Sequence, residues 1–319
     1  MNKKENRVEL YTEGDAQLSL FEIADTVKKT RSIIVDDIMT REVSGTGETF
    51  LSSEYHDDLP IQIKARIMLS YEGVDIKSKT ELTPFDHEVV DAVATLALEG
   101  NEIVNTAAIY RVIAGRPKNQ YVSPTQRERV MKSMEKCAFS KLSITIGNYD
   151  EIAGQLRLPG EATFSGNLLS FEMIKQKTNR GMTDYFRILA IPALFRYAAS
   201  VGKISAFPIE MLDTPVSKTE GIILMQSFLL RRIDAMNRKE ISDCTIFWKD
   251  IFAVGRDEGA SRQQLQKTRG FICKILDYWK EKGFLKDYQA DNRSRGKIKI
   301  TPNYDFGRVQ EHGKELPSG

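Results

Sequence analysis

Cysteine is scarce: Cys137, Cys244 and Cys273 are the three in 319 residues, far apart and without C-x-x-C spacing. That argues against a disulfide framework and a thiolate zinc site, and the expectation is buried reduced thiols. Histidine is equally rare. His56, His87 and His312 are widely separated, so the closely spaced histidine pair of a rolling-circle nuclease and a Ser/His/Asp arrangement are both missing. No G-x-x-x-x-G-K-[ST] run occurs, which removes P-loop nucleotide hydrolysis. Asp57-Asp58 stands where a solvated segment enters the first domain and is read as surface rather than as a metal site. Apolar runs long enough to span a membrane are absent. The start, MNKKENRVELYTEGDAQ, has no apolar stretch behind its basic residues and does not read as a secretory leader. The expectation is a cytoplasmic protein that is not an enzyme and uses no cofactor or metal.

What is present is an ordinary globular composition, 41% hydrophobic and 28% charged, in a chain longer than one domain of common size. The formal net charge is only +2, but it is unevenly spread. Gly259 to Thr301 holds eleven Lys/Arg against four Asp/Glu, and Gly115 to Lys141 holds seven against two. Those islands carry +7 and +5, so the remaining chain carries −10. Two basic islands in an acidic chain fit contact with a polyanion; solvated basic helix faces are the alternative.

Patterning gives an α+β fold class: two tandem winged helix-turn-helix domains behind a disordered N-terminal tail. Residues 1–54 are polar and weakly periodic and read as that tail. Residues 55–210 form the first winged-helix domain, 211–303 the second, and 304–319 a polar tail; the basic module itself runs from Asp213 to Pro302. IQIKARIMLS (Ile61 to Ser70) alternates as a strand. Thr83-Pro84 opens a helix closed by Gly100, a second helix covers about Asn105 to Ala114, and Ser123-Pro124 opens a third, to about Cys137. Ser140 to Ile146 and Thr163 to Ile174 are expected to form the first wing. The order then recurs. Ser217 caps a helix, CTIFWKDIFAV holds a strand and a short helix, Ser261 caps a long helix closed by Gly283, and FLKDYQ and KIKIT make a hairpin around ADNRSRG.

Helix-turn-helix proteins place a recognition helix in the major groove, and flanking contacts hold the phosphates. In the last long helix Leu265, Thr268, Ile272, Ile275, Leu276 and Trp279 share one face at about 100° per residue. The opposite face presents Gln263, Gln266, Lys267, Gly270 and Lys274, with Arg262 at the leading turn. Gln suits adenine, Arg suits guanine, and Lys meets phosphate. Gly270 costs helix propensity about 1 kcal/mol, which close approach to DNA or simple tolerance explains. Arg293, Arg295, Lys297 and Lys299 alternate along the hairpin and make its wing basic. In the first domain Val130, Met131, Met134 and Cys137 face inward, while Thr125, Arg129, Lys132 and Lys136 face out and Arg116 and Lys118 occupy the preceding turn. These either add DNA contacts or the domain dimerises.

The segment Gln17-Leu18-Ser19-Leu20-Phe21 resembles the pentapeptide by which bacterial replication proteins dock on the sliding clamp. Leu20 and Phe21 supply apolar anchors and Gln17 a polar one; a short helix start folding back on the domain is the alternative.

Taken with LTPFDHEVVDAVATLALEG, TAAIYRVIAG, and IPALFRYAASVGKISAFPIEML leading into FLLRRIDAM, the tandem arrangement resembles iteron-binding initiators of plasmid and mobile-element replication, from about Leu59 to Pro302. The resemblance implies binding of double-stranded DNA at repeated origin sites, opening of adjacent duplex, and recruitment of the sliding clamp and the replicative helicase or its loader. It also implies a homodimer through the first domain. A winged-helix transcriptional regulator is the competing function, and a nuclease or relaxase with an unfamiliar site is a third.

Overall fold

The structure is a computed structural model that describes residues 26–39, 42–43, 48–55, 62–71, 80–117, 120–147, 162–178, 181–200, 202–255, 260–293 and 296–306. The first core gathers on α2 (Pro84–Leu98), whose cap Thr83 and third residue Asp86 satisfy each other's backbone donors in a capping box with Pro84 at the first position. A short strand, β6 (Ile103–Asn105), leads into α3 (Thr106–Ala114), capped by Asn105, and then α4 (Pro124–Phe139), boxed by Ser123 and Gln126. The sheet that completes this unit is β6 with a hairpin of β9 (Ser170–Thr178) and β10 (Gly181–Ala190), all antiparallel in the order β6-β10-β9. Helix, strand, helix, helix and a two-stranded wing make a winged helix.

The expected wing is therefore corrected. β7 (Ser140–Gly147) and β8 (Ala162–Asn167) do pair with each other, but they join β3 (Glu48–Tyr55) and β4 (Gln62–Tyr71) in a separate four-stranded antiparallel sheet, order β3-β4-β7-β8. The chain leaves that sheet at Leu168 and Leu169, which are both buried and donate to the carbonyls of Ser140 and Cys137. Two consecutive inward leucines break the alternation that a continuous strand would need.

The tail assignment is corrected in part. Gln17 to Phe21 lie outside the described residues, but β1 (Thr26–Thr30) pairs antiparallel with β11 (Ile204–Pro208), Thr26 opposite Pro208, and α1 (Ile33–Ile38) follows. Val27, Val35, Ile38 and Met39 are fully buried, so this segment belongs to the first core. Two further short strands, β2 (Glu42–Val43) and β5 (Thr80–Glu81), pair with each other. After β10 comes α5 (Ala193–Ser200), which leads back to β11.

The second unit repeats the plan. α6 (Glu220–Asn237) is capped by Thr219, two residues beyond the expected Ser217. β12 (Thr245–Phe247), α7 (Trp248–Val254) and α8 (Arg262–Glu281) follow, then β13 (Leu285–Ala290) and β14 (Lys297–Pro302) in a sheet of order β12-β14-β13. Ile272, Ile275, Leu276 and Trp279 bury as expected, while Leu265 and Thr268 are half-buried. The α+β class with two tandem winged helices stands.

The units are docked, not merely tethered. Trp279 Nε1 donates to Met211 O (2.8 Å), Tyr278 OH to Glu210 O (3.0 Å), and Gln226 Nε2 to the carbonyls of Met211 (3.1 Å) and Leu212 (3.0 Å). Phe207 of β11 meets Phe284 edge-on at 6.0 Å. Gly115, at φ 60°, closes α3 against this connector: a Cβ there would sit 2.4 Å from Leu212 Cβ, so no side chain fits. Between α2 and α6 lies a buried ionic cluster. Arg231 Nη2 reaches Glu88 Oε1 (2.7 Å) and Asp91 Oδ2 (2.9 Å), Ser227 Oγ donates to Glu88 (2.7 Å), and Lys29 of β1 pairs with Glu88.

Candidate nucleic-acid interface

The second domain shapes an open groove of about 1050 Å³ between α8 and the wing, lined by Arg262, Leu265, Gln266, Arg269, Gly270 and Cys273 on the helix and by Asn292 and Arg293 on the hairpin. Local chemistry sets each wall. The Ser261–Gln264 capping box fixes the first turn of α8, so Arg262 and Gln266 project from an ordered helix start. The wing is pinned where its tip loop begins by Trp248 Nε1, which donates to Asp291 O at 2.8 Å. Gly296 closes the tip; a Cβ there would lie 1.8 Å from the Asp291 carbonyl oxygen.

Arg262, Gln266, Gly270 and Arg293, expected from sequence, thus converge on one groove. Gln263, Lys267 and Lys274 are exposed but lie outside its lining, on the other flank of the same outward helix surface, with Lys267 over the Phe271 ring at 5.7 Å. Lys297 and Lys299 are exposed on β14, opposite Phe247 and Thr245 of β12, so they share the outer face of the sheet and not the groove. Arg295 lies outside the described residues. Arg293 is held by Asp291 through three contacts of 2.7 to 3.0 Å, and the guanidinium keeps that carboxyl below its usual range. With the Arg293 side chain 87% exposed, such a pair contributes little to stability, and a phosphate can replace the carboxylate at small cost.

Arg269 is a groove residue that sequence reasoning misses. Its guanidinium packs over Trp248 (5.6 Å) and Phe252 (5.4 Å), and its Nε is buried without a hydrogen-bond partner among the described residues. A signal exists in the spacing: Arg262, Gln266, Arg269 and Cys273 stand at i, i+4, i+7 and i+11, a stripe beside the outward face named from the sequence. Burial pushes the Cys273 thiol up, so it remains protonated.

The first domain departs from expectation. Arg129 Nη2 pairs with Glu220 at the start of α6 (2.5 Å) and covers Phe85 at 5.0 Å. Lys136 reaches the buried carboxylate of Asp86 (2.5 Å), and Lys132 pairs with Glu128 (2.7 Å). Each of these three outward cations of α4 is matched by a carboxylate, so that face lacks the free positive charge ascribed to it. Thr125 is exposed on the same helix, and Lys118 lies outside the described residues. Arg116 packs over Tyr110 at 5.4 Å in the turn before α4. The true wing carries exposed Lys175 and Lys177 instead.

Among the described residues, no group of three or more His, Cys, Asp or Glu side chains could hold a metal ion, and no helix is long and apolar enough to cross a membrane. No protein-family model matches the chain, and no curated protein does. Among solved structures, the crystal structure of the RctB domains 2-3, RctB-155-483, aligns with a TM-score of 0.43 at 13% identity, covering 86% of this chain and 98% of that one. The SeMet derivatives of domains 2 and 3 of RctB align with a TM-score of 0.40 at 12% identity, covering 86% and 97%.

Proposed function

We propose that this chain binds duplex DNA through its second winged helix, with α8 in the major groove and the wing on the flanking phosphates. The groove between α8 and the wing carries the reading, because it gathers Arg262, Gln266, Arg269, Asn292 and Arg293 around the bare backbone at Gly270. Arginine and amide side chains on a groove-sized helix are the donors and acceptors that base edges and phosphates require. We read the protein as a binder that carries out no bond chemistry of its own, working in the cytoplasm.

The finer role is initiation of replication at the origin of a plasmid or mobile element. Its supports are the resemblance of the Leu59 to Pro302 region to iteron-binding initiators and the Gln17 to Phe21 segment, suited to a sliding clamp. Recruitment of the replicative helicase or its loader and a homodimeric form belong to the same reading.

Footprinting of the full chain on the DNA flanking its own gene tests it. Direct repeats about two helical turns apart beside an AT-rich stretch are expected; a single promoter palindrome overturns the replication role, and no protection overturns DNA reading. Arg262→Ala with Arg293→Ala should lower the salt slope of binding by about one unit for each phosphate that is no longer gripped. Leu20→Ala with Phe21→Ala should abolish clamp capture and leave duplex affinity unchanged.

A further inference from the structure

The first domain concentrates unneutralised positive charge around the turn between α3 and α4, on Arg111 of α3, Arg116 of the turn and Arg127 in the first turn of α4. Three consecutive carbonyls of that turn each accept from an arginine: Gln120 O from Arg111 Nε (3.0 Å), Tyr121 O from Arg116 Nη1 (3.4 Å), and Val122 O from Arg127 Nε (3.1 Å). Among the described residues none of the three is ion-paired with a carboxylate, unlike Arg129, Lys132 and Lys136. Burial and then the Arg127 charge lower the Arg111 pKa, as befits like charges held close. The Arg116 Nε is buried without a partner among the described residues. On the same turn Tyr121 is 69% exposed, the largest exposure of any bulky apolar side chain among the described residues.

Bringing guanidinium groups together without counter-charge is unfavourable in the free protein, and an anion removes the repulsion. For Arg111 and Arg127 the carbonyl takes only Nε, leaving both terminal nitrogens of each fork for phosphate oxygens. An exposed aromatic ring beside them suits the sugar face of a nucleotide. Charge decides between the two surfaces of the domain: Arg129, Lys132 and Lys136 of α4 are neutralised within the protein, and the arginines around the α3–α4 turn are not.

We propose that the α3–α4 turn of the first domain is a second DNA contact, in which Arg111, Arg116 and Arg127 grip backbone phosphates of the duplex and Tyr121 packs against the adjoining sugar. This rests on the reading that the second domain binds duplex DNA, and it extends the footprint without adding base recognition. The turn raises affinity on any sequence long enough to reach it.

The test uses the full chain and fluorescent duplexes of about 12 and about 30 base pairs, titrated across salt. The variants are Tyr121→Ala and the triple Arg111→Gln, Arg116→Gln, Arg127→Gln, in which glutamine keeps a donor for the turn carbonyls. Thermal melts establish that each variant folds. On the long duplex the triple variant should bind at least tenfold more weakly with a salt slope reduced by two to three units (about 0.9 per phosphate), and Tyr121→Ala several-fold more weakly at unchanged slope. Both should match the unaltered chain on the short duplex. Equal affinity and slope on the long duplex would overturn the proposal, as would a weakening seen only with single-stranded DNA. Arg262→Ala with Arg293→Ala serves as the control: if it alone weakens binding, the second-domain reading stands and the turn contact fails.

Discussion

Gly270 and Gly296 show how differently one residue type is used. A Cβ at Gly270 meets nothing within 4 Å, whereas at Gly296 it would strike the Asp291 carbonyl. The first position is free within the protein, so no internal contact requires it to be bare, whereas close approach of DNA would. Gly270→Ala should raise stability by about 0.5–1 kcal/mol, the helix-propensity gain, measured by urea unfolding. Gly270→Leu should fold as well and bind DNA more weakly; undiminished binding would remove this side of α8 from the groove contact. Arg269, four residues before Cys273 on the same lining, shows in the sequence only as a spacing, and its setting does not. Its guanidinium lies over Trp248 and Phe252, and rings from α7 are placed beside α8 only by the tertiary fold.

At the scale of elements, helices are legible because their signals are local. Thr83, Ser123 and Ser261 are the caps of α2, α4 and α8, each with its reciprocal partner three residues on. Ser261→Ala should cost about 1 kcal/mol and increase amide exchange in the first turn of α8; an unchanged exchange rate would mean that packing alone holds Arg262 and Gln266 in place. Strands are legible as strands but not as partners. The alternation of Ser140 to Ile146 is the same whether its neighbour lies in the wing or across β4, and only the Leu168-Leu169 break separates the two sheets. β1 is hidden in the sequence because TVKKT has no apolar face to declare it. It becomes a strand by pairing with β11, and Lys29 is buried there because Glu88 meets it.

Across the whole molecule, the joint between domains rests on charge withdrawn from water. Arg231 crosses from α6 to two buried carboxylates of α2, so Arg231→Met should destabilise the chain by about 3–5 kcal/mol, the cost of leaving buried charge unpaired, read by denaturant unfolding. The same cluster sets an acid sensitivity. Burial, then the Arg231 charge, hold His87 well below 6.5, so the folded chain keeps it neutral while the unfolded chain protonates below about pH 6.5. That contribution is complete above pH 6.5 and declines as pH falls below it. Glu88, kept at about 2 by Lys29 and Arg231 against the opposing effect of burial, adds a second decline as pH drops from about 4.5 toward 2. Urea midpoints should therefore fall from pH 6.5 downward, and His87→Gln should flatten the first part of the decline; an identical profile in that variant would place the sensitivity elsewhere.

The sequence by itself determined the main helices of both winged domains, the caps of α2, α4 and α8, the inward faces of α4 and α8, and the basic character of the second domain, because each depends on residues within a few turns of one another. The tertiary structure decided which cations remain free. Arg129 and Lys136 read as outward charges on a wheel, yet they meet Glu220 and Asp86, residues distant in the chain. Arg111, Arg116 and Arg127 are left with carbonyls for partners. Charge is local to a residue, but its neutralisation belongs to whatever the fold brings beside it.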